Sequence, residues 1–280
     1  MLNLMYITNN PDVARIAEKS GVDRIFVDME FIGKDLRQGG LDTVQNHHTI
    51  EDIRCIKQVL SKAKVLVRIN PIHRNFEGYF DSKEEIDAAI DAGADILMLP
   101  FFRTVKEVEE FIAYVDGRAQ TCLLLETPEA ANLIDEILNV QGIDMVHIGL
   151  NDMHLAMGMT FMFELLANGT VDALAEKIKA RGIPFGFGGV ANLHGGALPG
   201  SYVLKEHYRI GSSMVILGRS FCNTNIITDK DEIIKIFNSG ISEIRELETE
   251  IQNVVDYFDI NHKNVVEAVN KIVQEKKNKQ

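Results

Sequence analysis

The stretch that decides the fold of this 280-residue chain is DILMLPFFRTVKEVEEFIAYVDGRAQTCLLLE, at residues 95–126. It opens with the apolar run 95–100 and closes with the apolar run 121–126, each of a length typical of a buried strand. Between them, Thr104 precedes a segment with helical spacing, and Gly117 follows it. Two near-continuous apolar strands joined by an amphipathic helix indicate parallel strands that are covered by helices.

The same unit recurs along the first 220 residues. Helix start signals stand at Asn10-Pro11, Thr49 and Ser82, and the apolar runs are LMYI (4–7), RIFVD (24–28), VLVRI (65–69), DILMLP (95–100), TCLLLE (121–126), DMVHIG (144–149), FGFGG (185–189) and MVILG (214–218). Eight such units predict an α/β protein with a (β/α)8 TIM barrel. A doubly wound open sheet is the alternative, since it uses the same alternation of strands and helices.

The pattern changes after the last apolar run. Residues 230–277 read as charged, helical sequence without strands. We therefore predict a barrel over 1–222 that carries the active site, and a helical C-terminal extension over 223–280. The apolar positions of this extension must pack on the barrel or on a neighbouring subunit, and the second possibility would make the protein a homo-oligomer.

The charge and composition of the chain indicate which kinds of molecule it binds. The net charge of −12 argues against binding to nucleic acid or to an anionic membrane surface, because both need a basic surface. No apolar run approaches the ~18 residues of a membrane span, and no signal peptide is visible. The three cysteines have no CxxC spacing, as expected of reduced thiols. These features predict a cytoplasmic protein whose partners are small molecules or other proteins.

Charged residues stand at the ends of several predicted strands, where a barrel of this kind carries its chemistry. Glu126 follows strand 5 and Asp152 follows strand 6. Two buried carboxylates are stabilised by a divalent cation, and hard oxygen ligands favour Mg²⁺ or Mn²⁺ among the possible divalent metals. The alternative is that each carboxylate caps the helix that follows it.

A second group of charges ends strands 2 and 3. Asp28 and Glu30 follow one apolar run, and Arg68 lies inside the next one. A guanidinium in an apolar strand must meet an anion. Arg68 either forms a structural salt bridge to Asp28 or Glu30, or it faces a substrate carboxylate or a developing enolate oxygen.

Longer segments of the sequence resemble a known family. LLLETPEAANLIDEIL (123–138) and GIDMVHIGLNDMHLAMG (142–158) resemble the HpcH/HpaI aldolase and citrate lyase β-subunit family, part of the phosphoenolpyruvate/pyruvate barrel superfamily. Members carry a metal-binding Glu before T/S-x-x-A and a metal-binding Asp in I-G-x-x-D-L. In this chain the two motifs fall on Glu126 and Asp152, and the resemblance covers about residues 4–222.

The resemblance implies a metal-dependent carbon–carbon lyase (an aldolase) that cleaves or forms a 2-oxo acid through a metal-bound, pyruvate-type enolate. Its ligands would be pyruvate or another 2-oxo acid and an aldehyde. Glu126 and Asp152 would bind Mg²⁺ or Mn²⁺, and Arg68 would stabilise the enolate oxygen. The backbone amides of Asn151 and Asp152 would hold the pyruvate carboxylate.

The sequence departs from the family after strand 2. Where members commonly read D-x-E-H, this chain has Phe31, whose ring cannot transfer protons. Asp28 and Glu30 remain as catalytic candidates, and His47 and His48 are the nearest residues that could replace the missing histidine. We also expect Arg37 and Gln38, in the same long connection, to meet the distal end of the substrate.

Two other functions stay open at this stage. One is an acyl-CoA lyase of the citrate lyase type. The other is a catalytically silent barrel that binds a 2-oxo acid, which Phe31 would explain.

Overall fold

The computed structural model describes residues 1–34, 46–74, 78–251 and 257–278. In this part of the chain eight parallel strands close into a barrel, each pairing with the next and the last with the first. The strands are β1 (Asn3–Ile7), β2 (Arg24–Asp28), β3 (Lys64–Arg68), β4 (Ile96–Leu99), β5 (Gln120–Leu125), β6 (Met145–Ile148), β7 (Phe185–Val190) and β8 (Met214–Leu217). The predicted barrel is confirmed, and the open sheet is excluded because β1 pairs with β8.

Helices follow the strands along the chain. Those of the barrel are α1 (Pro11–Ser20), α2 (Ile50–Val59), α3 (Ser82–Asp91), α4 (Val105–Val115), α5 (Pro128–Asn132), α6 (Ile134–Ile137), α7 (Leu150–Ala156), α8 (Glu164–Ala167), α9 (Thr170–Ala180) and α10 (Gly200–Ile210). Two long helices follow β8, namely α11 (Lys230–Ile251) and α12 (Tyr257–Lys277).

Side-chain caps fix where several helices begin. Asn10 caps α1 through its side-chain oxygen, and Thr49 and Thr104 form capping boxes at the starts of α2 and α4. The start of α3 differs by one residue from the prediction. Its N-cap is Asp81, whose carboxylate accepts a hydrogen bond from the Glu84 amide, so Ser82 is the first helical residue.

The barrel interior is packed with apolar side chains, separate from the larger core between the strands and the helices. Arg24 reaches into its amino-terminal end, where the guanidinium lies 3.2 Å from the Met214 sulfur and 3.4 Å from the Met145 sulfur. The interior layer comprises Met5, Phe26, Leu66, Ile96, Met98, Cys122, Leu124, Met145 and Met214. These side chains fill the lower barrel, beneath the carboxyl ends of the strands.

The C-terminal helices lie against this chain's own barrel. Helix α11 packs on α1, and α12 packs on α10 and α8. Glu206 of α10 is fully buried and accepts hydrogen bonds from Asn261 at 2.8 Å, from His262 at 3.0 Å and from Arg209 at 2.8 Å. This polar cluster anchors α12, whereas packing on a neighbouring subunit and a homo-oligomeric state stay predictions.

None of the helices in the described ranges combines the length and the apolar character that crossing a membrane requires.

Candidate active site

A cavity of about 390 Å³ opens at the carboxyl ends of the barrel strands. Apolar side chains of the barrel interior form its floor, among them Phe26, Met98 and Leu124. Most of the sequence-predicted site residues line its walls, namely Asp28, His48, Arg68, Glu126, Asn151 and Asp152. The closed barrel therefore brings together side chains that are up to 124 positions apart in the sequence, from 28 to 152.

Arg68 is held by two carboxylates, one at the end of the neighbouring strand and one just after it. Its Nε donates to Asp28 Oδ1 and its Nη2 to Asp28 Oδ2, both at 2.8 Å, and Nη1 lies 3.2 Å from Glu30 Oε2. Strands β2 and β3 pair with Asp28 directly opposite Arg68, which makes the two-bond contact possible. Arg68 therefore forms the structural salt bridge and also lines the cavity, while its contact with a substrate carboxylate or an enolate oxygen stays a prediction.

The neighbouring charges keep both Asp28 and Arg68 ionised. Burial by itself would raise the pKa of Asp28, but Arg68, Lys34 and Asn46 hold it well below its usual range. Lys34 Nζ lies 3.1 Å from Asp28 Oδ2, and Asn46 Nδ2 donates to the same oxygen at 3.0 Å. For Arg68, burial would lower the pKa, but Asp28 and then Glu30 raise it well above its ordinary value. Asp28 is therefore a fixed anion at neutral pH.

Glu30 contacts two residues that line the cavity, Arg68 and Lys34. It is fully buried, and its carboxylate contacts Arg68 at 3.2 Å and Lys34 at 3.7 Å. Glu30 itself does not belong to the described residues that line the cavity. Its role in the geometry is to hold the two cations, while a direct catalytic role stays a prediction.

Phe31 does not belong to the described residues that line the cavity. Asn70 Oδ1 accepts hydrogen bonds from the amides of Phe31 and Ile32, both at 2.9 Å, and the Phe31 ring packs edge-on against Tyr79 with centroids 5.0 Å apart. The chain after β2 is therefore anchored to Asn70, at the end of β3. Phe31, which stands where the resemblance led us to expect a histidine, therefore packs on Tyr79.

The two adjacent histidines differ in their placement. His48 lines the cavity, whereas His47 is exposed and does not belong to the described lining. The Asp28 amide donates to His48 Nδ1 at 2.9 Å, so the neutral ring carries its proton on Nε2. Burial lowers the pKa of His48, although nearby Asp28 acts in the opposite direction. His48 is thus a neutral imidazole that can donate a hydrogen bond through Nε2.

Glu126 is placed by the backbone around it. Its Oε1 accepts a hydrogen bond from the Phe101 amide at 3.0 Å, and Phe101 has a φ of 50°, a conformation rare for a bulky residue. A Cβ at Gly149 would lie 2.9 Å from Glu126 Oε2, so only glycine allows this close approach. The helix after β5 is capped by Thr127, which removes the capping explanation for Glu126.

Asp152 lies in the first turn of α7, with its side chain 7% exposed at the cavity wall. The N-cap of this helix is Gly149, and α7 has no side-chain cap, so Asp152 does not cap it. Within the described ranges no group of three or more His, Cys, Asp or Glu is arranged to hold a metal. A metal at Glu126 and Asp152 would therefore take its remaining ligands from solvent or substrate, a donor set that suits Mg²⁺ or Mn²⁺.

Sequence reasoning missed Lys34 and His147 as cavity residues. His147 Nε2 donates to Gly188 O at 2.9 Å, and Nδ1 has no hydrogen-bond partner among the described residues. Burial lowers the pKa of His147 to about 4, which makes it a neutral side chain. The sequence contained a sign of each. Lys34 lies four residues after Glu30, and His147 is a polar residue inside an apolar strand.

Arg37 and Gln38, predicted to meet the substrate, lie outside the described residues. Their roles stay predictions.

Comparisons with known proteins agree with the barrel fold. A scan against protein-family models matches "HpcH/HpaI aldolase/citrate lyase" over residues 3–175. A search of curated proteins found no match.

Solved structures share the fold at low sequence identity. An HpcH/HpaI aldolase from Desulfitobacterium hafniense DCB-2 is 18% identical with a TM-score of 0.59, over 78% of this chain and 86% of that one. An HpcH/HpaI aldolase/citrate lyase family protein from Burkholderia cenocepacia J2315 is 13% identical with a TM-score of 0.59, over 83% and 94%. The citrate synthase SbnG is 15% identical with a TM-score of 0.58, over 87% and 92%.

These structural likenesses support the fold alone, whereas the family match covers more than half of the chain. The chain therefore belongs to the HpcH/HpaI aldolase/citrate lyase family, a family of lyases.

Proposed function

We propose that the protein is a divalent-metal-dependent carbon–carbon lyase that cleaves or forms a 2-oxo acid through a pyruvate-type enolate. The observation that carries the proposal is that Arg68, Glu126 and Asp152 line one cavity at the carboxyl ends of the strands. Family membership supports a lyase, and this arrangement of one fixed cation and two buried carboxylates supports the metal-dependent class.

Glu126 and Asp152 would hold the metal, expected to be Mg²⁺ or Mn²⁺. When bound, such an ion acts as a Lewis acid toward the carboxylate and keto oxygens of a 2-oxo acid. Asn151 and Asp152, in the first turn of α7, would bind the substrate carboxylate through their amides.

Arg68 would stabilise the negative charge that forms on the keto oxygen when the bond to carbon 3 breaks. Two of its nitrogens are fixed by Asp28 and a third approaches Glu30, so the guanidinium needs no reorientation as charge develops. A guanidinium has five N–H donors, which leaves donors for a ligand. Asp28 and Glu30 therefore act by positioning Arg68.

His48 would contribute a hydrogen bond rather than a base. Because its Nδ1 accepts the Asp28 amide, the ring presents Nε2–H, which suits donation to a substrate oxygen. That His48 replaces the missing family histidine in proton transfer stays a prediction.

The experiment is deuterium exchange into the methyl group of pyruvate, followed by proton NMR with and without Mg²⁺ or Mn²⁺. We expect metal-dependent exchange in the wild type and at least a 100-fold loss in Glu126→Gln. The matched control is Glu129→Gln, at an exposed position of the neighbouring helix, which should exchange like the wild type.

A silent barrel that binds a 2-oxo acid is the second candidate, because Phe31 packs on Tyr79 where relatives carry a catalytic histidine. Metal-dependent binding of pyruvate without any exchange would establish this alternative and refute the lyase.

A further inference from the structure

The amino-terminal end of the barrel carries two cations on its inner face, Arg24 on β2 and Lys64 on β3. We call these two residues the amino-terminal cation pair. Arg24 pairs in the sheet with Met5 on one side and with Lys64 on the other, and Met5 belongs to the interior layer. Because residues in register share a face of the sheet, both cations lie on the inner face, at the end of the barrel away from the proposed lyase cavity.

Arg24 is a partly desolvated cation that contacts thioethers rather than a carboxylate. Its Nη1 lies 3.2 Å from the Met214 sulfur and 3.4 Å from the Met145 sulfur, and a thioether is only a weak acceptor. Within the described ranges Arg24 forms no ion pair. Burial lowers the pKa of Arg24, while Cys122 and Asp23 act in the opposite direction. A guanidinium in this position would be stabilised by an anion.

Lys64 also pairs with a neutral group. Its Nζ donates to Gln120 Oε1 at 2.6 Å, and among the described residues it forms no ion pair either. In that same part of the chain the Gln120 amide nitrogen forms no hydrogen bond, so its N–H groups stay available to an acceptor. Because Arg24 and Lys64 lie side by side on adjacent strands, their like charges repel each other. An anion bound to both would remove this repulsion.

The carboxylates at this end of the barrel are used by the backbone. Three of them each accept a hydrogen bond from an amide of a neighbouring strand, namely Asp23 from Leu4 at 2.8 Å, Asp95 from Val65 at 2.8 Å and Asp144 from Thr121 at 2.7 Å. Their ion pairs are with helical residues, since Asp95 contacts Lys57 and Asp23 contacts Arg245. The side chains left for a ligand are therefore the cations and the carboxamide of Gln120.

This set of donors suits a phosphoryl group. A guanidinium can bind two phosphate oxygens through parallel N–H bonds, and an ammonium binds phosphate as a point charge. The two positive charges of the pair match the double negative charge of a phosphate dianion. Lys64 is exposed and Arg24 is half-buried, so an ion in solvent can reach both.

We propose that the amino-terminal cation pair binds a phosphoryl group, either as free phosphate or as a small phosphate monoester. The site is separate from the lyase cavity, and the proposal does not depend on the lyase function. Bound phosphate would stabilise the barrel, because a ligand that binds only the native state shifts the folding equilibrium toward it.

The test is an NMR titration of the full chain, isotope-labelled at the methionine methyl groups, with inorganic phosphate. Phosphate replaces chloride at constant ionic strength in a slightly alkaline buffer without added metal. We expect saturable shifts of the Met145 and Met214 methyl signals, because the sulfurs of these residues contact Arg24. Met162 lines the cavity and reports any binding there. Each signal is assigned from the spectrum of the corresponding Leu variant, for example Met214→Leu.

Three variants test the two cations. Arg24→Gln and Lys64→Gln should each weaken the affinity read at Met214 at least about tenfold, since each removes a charge-assisted hydrogen bond. Lys64 is exposed, so Lys64→Gln remains informative even where Arg24→Gln fails to fold. Lys106→Gln, at an exposed position in the first turn of α4, removes the same charge near the other end of the barrel and should bind like the wild type.

A second titration with glycerol 3-phosphate distinguishes the two sources of the phosphoryl group. Tighter binding of the ester would identify a monoester as the ligand, and tighter binding of phosphate would identify the free ion. Three results would each refute the site. They are the absence of a saturable shift at Met214, a shift confined to Met162, and an unchanged affinity in Lys64→Gln.

Discussion

His147 makes the stability of the barrel sensitive to acid. Its ring is buried in the lining of the cavity with Nε2 bonded to Gly188 O, and burial lowers its pKa from 6.5 to about 4. Between these two values the unfolded chain binds a proton that the folded chain does not. The contribution of His147 to stability is therefore complete above pH 6.5 and is lost as the pH falls toward 4.

The size of the effect follows from the two pKa values. Between pH 7 and pH 5, proton linkage at a group shifted from 6.5 to about 4 lowers the free energy of unfolding by about 2 kcal/mol. His147→Gln keeps an amide donor for Gly188 O and removes the titrating group. The variant should therefore lose about 2 kcal/mol less than the wild type over the same interval.

The assay is urea unfolding followed by circular dichroism at several pH values between 5 and 8. His194→Gln replaces an exposed histidine and should follow the wild-type profile. Parallel profiles for the wild type and His147→Gln would refute the reasoning. An NMR titration that shows the His147 ring gaining its proton near pH 6.5 would refute it as well.

Three further predictions concern the site and the C-terminal helices. Arg68→Lys keeps the charge but loses the two-bond contact to Asp28, so pyruvate exchange measured by NMR should fall at least about 100-fold. Gly149→Ala places a Cβ 2.7 Å from Glu126 Cβ, and Mn²⁺ affinity measured by calorimetry should fall at least about tenfold. Glu206→Gln weakens the buried cluster that anchors α12, and urea unfolding should show a loss of about 2 kcal/mol.

Matched variants distinguish these effects from general damage. Gly218→Ala should keep Mn²⁺ affinity, because its Cβ would meet no atom closer than 3.4 Å. Glu176→Gln, on the exposed face of α9, should unfold like the wild type. Unchanged exchange in Arg68→Lys would contradict the role of the fixed guanidinium, and unchanged stability in Glu206→Gln would contradict the anchoring role of the cluster.

Local sequence signals were sufficient for the architecture. The apolar runs around Arg68 and before Glu126 have the length of strands, and the segments between the runs have the spacing and caps of helices. Such patterns depend on neighbours a few residues apart, and so they are readable without the fold. The charged residues at strand ends could be assigned to one end of the barrel for the same reason.

Which of those residues share the cavity depended on contacts between distant parts of the chain. Glu30 lies two residues after Asp28 and His47 directly precedes His48, and yet neither Glu30 nor His47 belongs to the described lining. Contacts between backbone amides and distant side chains hold this region, since Asn70 Oδ1 accepts the amide of Phe31 and His48 Nδ1 accepts the amide of Asp28.

The sequence by itself determined a parallel barrel, the membership of its family, and the strand ends at which Arg68, Glu126 and Asp152 would lie. Only the tertiary structure decided that Asp28 fixes Arg68, that His48 presents Nε2–H, and that residues after β8, such as Asn223, line the cavity. The physical reason is that periodicity and capping are local, whereas burial, tautomer and ion pairing depend on which strands become neighbours when the barrel closes.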